Sequence, residues 1–344
     1  MNIQQALEQV LERRNLTGKE MSEVMRQVMT GEATPAQIGG FLVALRMKGE
    51  TVDEVAAAAG VMRSLAAGVD TDGADLVDLV GTGGDATGTF NISTTTAIVA
   101  AAAGARVAKH GNRSVSSKSG AADLLEAAGV NIELDPADVA CCIEETGFGF
   151  MFAPRHHSAM KHAIGPRREM GVRTVFNLLG PLTNPAGAER ELMGVYDADW
   201  VRPLADVLER LGARHVMVVH GDGQLDEIAL SGPTEVAELR DGQIREYRIS
   251  PEDFGLDTAP LDAIRVDSPE ASLARVREVL DDTEGAARDI VLLNAGAAIY
   301  VAGLAESMAT GVETAREVIA SGAARRKLTA IVEVTRRLGG ERSA

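Results

Sequence analysis

The stretch that decides the fold is LVDLVGTGGDATGTFNIST, residues 76–94. Residues 76–80 predict a buried parallel strand, and glycines follow it at positions 81, 83, 84 and 88. An alanine-rich helix then begins near residue 93. A strand, a glycine loop and a helix N-terminus together favour an anion site, because unpaired backbone N–H groups and the helix dipole converge there. The stretch therefore predicts an α/β sheet with a phosphate group bound at one edge.

The segment KHGNRSVSSKSG, residues 109–120, supplies cations and hydroxyl groups close to that loop. Between residues 106 and 118 there is no acidic side chain, and the cations are Arg106, Lys109, His110, Arg113 and Lys118. A glycine loop alone is often only a turn, but the adjoining cations favour phosphate binding. The common nucleotide fingerprints are absent, since residues 81–86 lack the third glycine of the dinucleotide pattern and no Walker-type lysine follows.

Composition and charge exclude several classes of protein. The chain has 344 residues and a formal net charge of −16, which argues against a nucleic-acid partner. No run of about 18 apolar residues predicts a membrane span. The charged N-terminus does not resemble a signal peptide, so we expect a cytoplasmic protein. The two cysteines, Cys141 and Cys142, are neighbours on a predicted helix and are expected to pack in the core rather than to form a disulfide or a zinc site.

The first seventy residues are predicted to be helical. Three capping boxes mark helix starts, at Thr17–Glu20, Thr34–Gln37 and Thr51–Glu54. Pro35 suits the first helical position, where its missing N–H costs nothing. Apolar residues recur at helical spacing in two stripes, which are Met21, Val24, Met25 and Val28, and Ile38, Phe41, Leu42 and Leu45. We expect this helical lobe to pack on itself and also to offer one face to a second subunit.

From about residue 74 the pattern changes to alternating strands and helices, which is typical of a parallel α/β sheet. Strands are predicted at 76–80, 106–109, 130–134, 148–152, 193–196 and 215–220, and helices at 93–104, 120–128, 136–146 and 200–211. Residues 225–250 predict an added edge or hairpin, and long helices are expected near 287–303 and 308–338. The expected division is a helical lobe of 1–70 joined by about 158–182, and an α/β lobe of 74–155 and 185–344.

Two further segments carry candidate chemistry. In residues 155–186, paired His156 and His157 suggest a metal, but they lack a carboxylate at ligand spacing. Arg167 and Arg168 either clamp a substrate carboxylate or form an exposed basic face. In residues 220–232, Asp226 and Glu227 follow a predicted strand. Adjacent acids are usually a solvated turn, yet beside a phosphate site they are credible Mg²⁺ ligands, because magnesium takes one or two carboxylates and leaves other positions to water and phosphate.

Taken together, these segments resemble the anthranilate phosphoribosyltransferase family. The similarity runs from TPAQIGGFLVALRMKGET (residues 34–51) to LLNAGAAIYVAG (residues 292–303). It is most specific where KHGNRSVSSKSGAADLLEAAG (109–129) and VRTVFNLLGPLTNPA (172–186) occur in one chain. Ser158 is a departure, since the family often has proline there. The implied fold is α/β, of the nucleoside phosphorylase and phosphoribosyltransferase type III kind, with a small discontinuous helical lobe, a large, mostly parallel α/β lobe and a homodimer formed through the helical lobes.

The resemblance also implies a site. The phosphoribosyl diphosphate residues would be Gly81, Gly84, Asp85, Thr89, Asn91, Ile92, Ser93, Thr94, Lys109, His110, Gly111, Asn112, Arg113, Ser114, Val115, Ser116, Ser117 and Ala121. The anthranilate residues would be Gly81, Asn112 and Arg167, and the catalytic residues Lys109 and His110. Two Mg²⁺ ions per monomer are implied, one held by Ser93 and the other by Asp226 and Glu227.

The implied reaction is attack by the amine of anthranilate on C1 of phosphoribosyl diphosphate, with loss of pyrophosphate, as the second step of tryptophan biosynthesis from chorismate. The expected partners are these two small molecules and a second copy of the chain, with no nucleic acid and no membrane. One alternative is a pyrimidine nucleoside phosphorylase, against which stand Asn112 and Arg113 and the pair Asp226 and Glu227. The other is a nucleic-acid-binding relative without transferase activity, which the charge of −16 disfavours.

Overall fold

A seven-stranded sheet organises the computed structural model, which describes residues 1–73, 75–84, 87–113 and 120–340. The strands are β1 (Leu76–Gly81), β2 (Arg106–Gly111), β3 (Phe148–Phe152), β4 (Arg190–Gly194), β5 (His215–Gly221), β6 (Thr234–Arg240) and β7 (Gln243–Ile249). Their order is β3-β2-β1-β4-β5-β6-β7. β1 to β5 are parallel, and β6 and β7 form the expected antiparallel hairpin at one edge. The mostly parallel α/β sheet predicted from the sequence is therefore confirmed.

Helices surround this sheet on both faces. The helices are α1 (Ile3–Leu11), α2 (Gly18–Thr30), α3 (Pro35–Lys48), α4 (Val52–Leu65), α5 (Ile92–Ala102), α6 (Ala121–Ala128), α7 (Pro136–Thr146), α8 (Ala153–His156), α9 (Lys161–Met170), α10 (Phe176–Leu179), α11 (Val201–Arg210), α12 (Pro269–Leu280), α13 (Ala286–Val301), α14 (Met308–Ala320) and α15 (Ala323–Gly340). None of these described helices is both long enough and apolar enough to cross a membrane.

The starts of the N-terminal helices follow from their capping residues. Thr17, Thr34 and Thr51 each accept a hydrogen bond from the backbone N–H three residues later, and each capping box is complete. Pro35 occupies the first turn of α3 as predicted. The two apolar stripes of α2 and α3 are buried. Local sequence therefore determines where these helices begin and which face they bury.

Two apolar clusters lie on opposite faces of the sheet. One cluster joins α5 and α13 to one face, through residues such as Leu79 and Val107. The other joins α1–α4 to α11 and to the opposite face, through residues such as Met193 and Val218. Ala163 of α9 belongs to the second cluster, and α9 packs against α2 and α3. The helices before the sheet and the segment around α9 therefore share one core.

Three sequence predictions differ from the structure. Residues 130–134 are buried at alternate positions but form no strand. The reason is that the Asn131 side-chain oxygen accepts the Glu133 backbone N–H, and the Asn131 backbone N–H donates to Thr335 Oγ1 of α15. The helix expected over 308–338 is two helices, since Gly322 adopts a left-handed φ of 70° between them. Cys142 is buried as expected, but Cys141 is exposed, and both thiols are free.

The β1–β2 pairing is unusual. β1 pairs with β4 at five positions, from Val77–Arg190 to Gly81–Gly194. β1 pairs with β2 at two positions, Leu76–Arg106 and Val77–Val107, although both strands continue for four more residues within the described part of the chain. The two strands therefore part at their carboxyl ends, which is the edge where the glycine loop begins.

Candidate active site

The glycine loop after β1 is held from two directions. The Thr82 N–H donates to the Gly194 carbonyl oxygen at 2.9 Å, and the Gly83 N–H donates to Asp226 Oδ2 at 2.8 Å. Gly83 and Gly84 have φ of 64° and 80°, a region that glycine enters without strain. The Asp226 carboxylate thus accepts a hydrogen bond from a backbone N–H group of the kind that binds phosphates in glycine-rich loops.

Two glycines make room for Asp226 at this edge. A Cβ at Gly194 would overlap the Asp226 backbone, and a Cβ at Gly81 would overlap its carboxylate. Gly81 ends β1 and Gly194 ends the neighbouring β4. The role of Gly81 is therefore steric, because it lets an acidic residue from the loop after β5 approach the carboxyl ends of the central strands.

The N-terminus of α5 points the next group of predicted residues toward the same edge. Asn91 is the N-cap, and its side-chain oxygen accepts the Thr94 N–H at 3.0 Å. Ser93 accepts a hydrogen bond from Lys109 Nζ at 3.2 Å. Thr94 Oγ1 is buried and has no hydrogen-bond partner among the described residues. Because Asn91 supplies the cap, the hydroxyls of Ser93 and Thr94 are not needed for capping.

Lys109 on β2 is a buried cation, with 2% of its surface exposed. Its ammonium donates to the Leu79 carbonyl oxygen and to Ser93. Burial lowers the pKa of Lys109, and the negative charges of Asp78, Glu227 and Asp226 oppose that shift. The glycine loop, the α5 N-terminus, Lys109 and the two acids after β5 are therefore brought together at one site.

His110, next to Lys109, is buried and neutral. Desolvation and the neighbouring His157 lower the pKa of His110 to about 3. The His110 and His157 rings lie 5.0 Å apart between centroids. His110 Nε2 has no partner within the described residues. A neutral imidazole with an unpaired nitrogen can accept or donate a hydrogen bond to a substrate, but it is a weak base at neutral pH.

The residues after β2 lead into α6. A Cβ at Gly111 would lie 2.9 Å from the Phe150 ring and 3.2 Å from Ala121 Cβ, so Gly111 and Ala121 pack where β2 meets α6. The Asn112 carbonyl oxygen accepts the Ala122 N–H at 3.3 Å. The Arg113 guanidinium pairs with Glu126 and Asp123 of α6, and these bonds raise the pKa of Arg113. Arg113 is therefore directed at α6 in this structure.

Of the two arginines Arg167 and Arg173, only Arg173 has a direct contact with the described part of the glycine loop. Arg167, in the last turn of α9, lies 5.0 Å from the centre of the Phe176 ring, and burial lowers the pKa of Arg167. Arg173 donates to the Gly84 carbonyl oxygen and lies 3.9 Å from the centre of the Tyr196 ring. The Tyr196 N–H donates to Thr82 Oγ1 at 3.1 Å. Arg173 therefore links the segment after α9 directly to the glycine loop.

Comparison with known proteins identifies the chain's relatives. Residues 4–66 match the helical bundle domain of a glycosyl transferase family, and residues 73–325 match the α/β domain of that family. A protein named anthranilate phosphoribosyltransferase from Thioalkalivibrio sulfidiphilus is 63% identical, over 97% of this chain and 99% of the relative. One of the same name from Alkalilimnicola ehrlichii is 59% identical, over 98% of this chain and 99% of the relative.

The crystal structure of anthranilate phosphoribosyltransferase from Thermus thermophilus superposes with a TM-score of 0.91 at 48% identity, covering 96% of this chain and 99% of that chain. The chain belongs to the anthranilate phosphoribosyltransferase family. The enzyme of that name from Saccharomyces cerevisiae, whose structure is a complex with PRPP and Mg, has a TM-score of 0.89 at 25% identity, over 97% of this chain and 98% of that chain. The resemblance stated from the motifs is confirmed, and so is the implied combination of a helical bundle with a large, mostly parallel α/β sheet.

The arrangement of acids fits Mg²⁺, the ion that accompanies PRPP in the yeast member of the family. Asp226 lies against the glycine loop, and both Asp226 and Glu227 act electrostatically on Lys109. The described residues contain no group of three or more His, Cys, Asp or Glu that could form a closed metal site. Two adjacent carboxylates beside a glycine loop fit Mg²⁺, because magnesium takes one or two carboxylates and leaves its other positions to water and phosphate oxygens.

The remaining predicted residues divide into three groups. Thr89 forms an isolated bridge with Arg265, and Ile92 is buried in the core at the start of α5. His156 Nδ1 donates to the Ala67 carbonyl oxygen at 2.8 Å, and burial lowers the pKa values of His156 and His157. Asp85, Ser114, Val115, Ser116 and Ser117 lie outside the described residues.

Sequence reasoning missed three residues that organise this site, which are Asp78, Arg173 and Asn184. Asp78 is a fully buried acid within the apolar stretch of β1, and a charged residue in a buried strand is itself a signal. Arg173 and Asn184 both lie in residues 172–186, a segment whose sequence resembles the family. Arg173 lies 89 residues from its partner Gly84, and Asn184 lies 76 and 106 residues from its partners Ala108 and Asp78. The sequence pattern therefore could not reveal these contacts.

A cavity of about 370 Å³ lies at the opposite, amino edge of the sheet. Arg190, Arg214 and Arg240 line it, but these cations are engaged by Asp75, Glu189 and Asp241 in ion pairs. None of the predicted site residues lines this cavity. This cavity therefore does not coincide with the predicted site residues, which converge at the carboxyl edge.

Proposed function

We propose that this chain transfers the 5-phosphoribosyl group from phosphoribosyl diphosphate to the amine of anthranilate and releases pyrophosphate. The observation that carries the proposal is the convergence of four features at the carboxyl edge of the sheet. They are the glycine loop after β1, the N-terminus of α5, buried Lys109 and the acids Asp226 and Glu227. Parallel α/β sheets bind ligands at this edge.

Departure of pyrophosphate is the difficult step, because negative charge grows on the leaving group. Lys109 is fixed by Leu79 and Ser93 within a buried setting, where a cation stabilises such charge more strongly than in water. Ser93, Asp226 and Glu227 would hold Mg²⁺, which supplies further positive charge to the diphosphate when bound. We propose two such ions per monomer, one at Ser93 and one at the acids.

The other substrate needs positioning rather than activation. We propose that Arg167 holds the anthranilate carboxylate, with Asn112 and Gly81 nearby. An aromatic amine has a free lone pair at neutral pH, so no strong base is required to begin the attack. Neutral His110 suits this site, because it offers a hydrogen bond without adding another charge. Rate enhancement would then come from charge placement and orientation.

The diphosphate would be held chiefly by the loop and by α5. We propose that the N–H groups of the glycine loop and the hydroxyls of Ser93 and Thr94 contact its oxygens, with Gly84, Thr89, Asn91 and Ile92 shaping the wall. The unpartnered, buried Thr94 Oγ1 supports this assignment. Asp226 now accepts the Gly83 N–H and so keeps the loop in an anion-binding conformation.

We also propose a homodimer formed through the helical lobe of residues 1–70 and about 158–182. Val43 and Met47 of α3 are large apolar side chains on the surface, with Met47 72% exposed. Leu11 of α1, a helix that packs against α3, is 68% exposed. Analytical ultracentrifugation tests the proposed dimer. We expect Met47→Glu to give a monomer, and Leu304→Glu, at the amino edge of the sheet, to leave the dimer intact.

A cytoplasmic location stays a prediction.

The first experiment is a fluorescence assay of anthranilate consumption with phosphoribosyl diphosphate, with and without Mg²⁺. We expect anthranilate to disappear only when both are present. Phosphorolysis of thymidine or uridine in place of this reaction would identify a nucleoside phosphorylase instead. If neither reaction is observed, the chain would be a nucleic-acid-binding relative without transferase activity. Retention on heparin or DNA would then identify it.

The acids are tested separately by the double variant Asp226→Asn with Glu227→Gln. We expect a lower kcat and a higher Mg²⁺ requirement, because two ligands lose their charge. A matched control is Asp222→Asn with Glu235→Gln, which removes two carboxylates close to the same strand but outside the proposed site. Full activity of the Asp226 and Glu227 variant at low Mg²⁺ would remove these residues from metal binding.

A further inference from the structure

The gap between β1 and β2 is filled by side chains that replace the missing ladder. Beyond the Val77–Val107 pair, Asp78 Oδ1 accepts the backbone N–H of His110 at 3.1 Å. Asn184 Nδ2 donates to Asp78 Oδ2 at 2.6 Å and to the Ala108 carbonyl oxygen at 2.8 Å. The Leu79 carbonyl oxygen accepts the ammonium of Lys109. Each of these main-chain groups therefore has a side-chain partner where two parallel strands would otherwise bond to each other.

We infer that Asp78 and Asn184 are positioning residues, which hold β1 and β2 apart and thereby place Lys109 and His110 at the active site. This inference rests on the proposed function for its catalytic meaning. Neither residue is among those expected to touch a substrate. Both act through the two residues of β2 that the proposed mechanism uses.

The local energetics favour a positioning role over a stabilising one. Asp78 is completely buried and Asn184 is 3% exposed. Taking a carboxylate out of water carries a large desolvation penalty, and an apolar side chain beside a continuous ladder generally stabilises a strand pair at least as well. The two residues are nevertheless fully hydrogen-bonded to each other and to the backbone. A buried polar pair of this kind specifies one geometry at the expense of stability.

That geometry determines what Lys109 can reach. In a continued parallel ladder the Leu79 carbonyl oxygen would accept a main-chain N–H from β2, and the ammonium would lose this partner. The gap leaves the oxygen to the ammonium, which also donates to Ser93 at the N-terminus of α5. Asn184 lies in the segment after α10, and its Oδ1 accepts the backbone N–H of Ala186 at 2.9 Å. This bond holds the Asn184 side chain in place.

The first test compares Asp78→Asn with Asp78→Ala in the full-length enzyme. The introduced amide can still accept the His110 N–H, but its NH₂ group faces the NH₂ group of Asn184. Alanine removes the spacer altogether. We expect kcat/KM for phosphoribosyl diphosphate to fall by about 10²-fold in Asp78→Ala, the loss typical of a shift of about 1 Å in a reacting group, and by less in Asp78→Asn.

Glu191→Gln is the matched control. Glu191 lies on β4 directly beside Asp78, is equally buried, and has its pKa raised well above the ordinary range by burial and by Asp78. A glutamine therefore reproduces the shape of the protonated acid. We expect unchanged kcat and KM, with any loss confined to thermal stability. Kinetics are measured well below the melting temperature of every variant.

A double-mutant cycle with Asn184→Ala separates a shared role from two independent ones. If both residues act through the one gap, the double variant loses little more activity than the worse single variant, whereas independent losses multiply. Wild-type kinetics in both Asp78 variants, or losses that multiply, would overturn the inference.

A crystal structure of Asp78→Ala provides a second readout that does not depend on activity. We expect the β1–β2 ladder to extend beyond Val107 and the Lys109 ammonium to leave Leu79. An unchanged gap would overturn the inference even if the wild-type enzyme proved to catalyse another reaction. Failure of the wild-type assay with an altered gap would instead refute the proposed function alone.

Discussion

The two edges of the sheet carry polar clusters that differ in how completely they are paired. At the amino edge, Glu238 accepts hydrogen bonds from His215 Nε2 at 3.0 Å, from the Tyr300 hydroxyl at 2.6 Å and from the Tyr247 hydroxyl at 2.8 Å. At the carboxyl edge, Thr94 Oγ1 and His110 Nε2 are buried and have no partner within residues 1–73, 75–84, 87–113 and 120–340.

We interpret the fully paired Glu238 cluster as one that stabilises the fold, and the unpaired atoms at the carboxyl edge as part of the proposed ligand site. A satisfied buried network lowers the free energy of the folded state, whereas each unpaired buried polar atom costs about 1–3 kcal/mol. Such a cost persists where a substrate later supplies the missing partner. Activity should therefore depend on the carboxyl edge, and stability on the Glu238 cluster at the amino edge.

The largest effect is expected for Lys109→Met. Removing one fixed charge that faces the leaving group should lower kcat by about 10²–10³-fold. Steady-state kinetics with phosphoribosyl diphosphate and anthranilate measure it. Lys327→Met is the control, because Lys327 donates to the Thr146 carbonyl oxygen at the end of α7, next to the amino end of β3. A kcat close to wild type in Lys109→Met would break the division between the edges.

Arg167→Ala should act on one substrate only. Loss of a charged hydrogen bond to the anthranilate carboxylate, worth about 1.5–3 kcal/mol, should raise KM for anthranilate by roughly ten- to a hundredfold. KM for phosphoribosyl diphosphate should stay the same. Arg168→Ala is the matched control, since the neighbouring arginine is exposed. An unchanged KM for anthranilate would remove Arg167 from substrate binding.

Glu238→Gln should reverse the pattern, with normal kinetics and lower stability. The variant weakens three hydrogen bonds to one carboxylate, so we expect the free energy of unfolding at pH 7 to fall by about 1–3 kcal/mol. Denaturant unfolding measures the loss. Glu235→Gln is the control, because Glu235 lies on the same strand and pairs with Arg248 at the surface. A fall in kcat would contradict the assignment of this cluster to stability alone.

The pH dependence of that loss follows from the pKa of Glu238. Burial opposes ionisation, but the hydrogen bonds from His215, Tyr300 and Tyr247 outweigh it and hold the pKa of Glu238 at about 2, below the ordinary 4.5. A carboxyl group whose pKa is lowered by folding stabilises the protein at pH values above its pKa in the unfolded chain. This stabilisation is lost as the pH falls through the pKa of the group in the folded protein. The difference between wild type and Glu238→Gln should therefore shrink between about pH 4.5 and 2.

The smallest effect is expected for Arg173→Ala. Arg173 links the segment after α9 to the Gly84 carbonyl oxygen, so its loss should loosen the glycine loop. We expect KM for phosphoribosyl diphosphate to rise about tenfold, the value of one modest charged hydrogen bond, with kcat nearly unchanged. Arg173→Lys should recover part of the loss. Equal effects on both substrates would indicate a general change in the fold instead.

Much of this molecule could be predicted from local sequence. The capping threonines predicted the starts of α2, α3 and α4, and the alternating apolar segments predicted the strands of the parallel sheet, because helix caps and strand burial depend on neighbouring residues. The family motifs predicted the enzyme class. The predictions failed at residues 130–134 and at Gly322, where contacts with α15 and a left-handed turn override the apolar pattern.

The sequence by itself thus determined the elements, the candidate residues and the family, since each is written in short segments. Only the tertiary structure decided how those residues meet. Asp226 reaches the glycine loop across 143 residues, and Asn184 reaches Asp78 across 106. The physical reason is that a gap between two strands exists only when side chains from distant segments satisfy its backbone groups. Position at the active site is therefore a property of the packed chain.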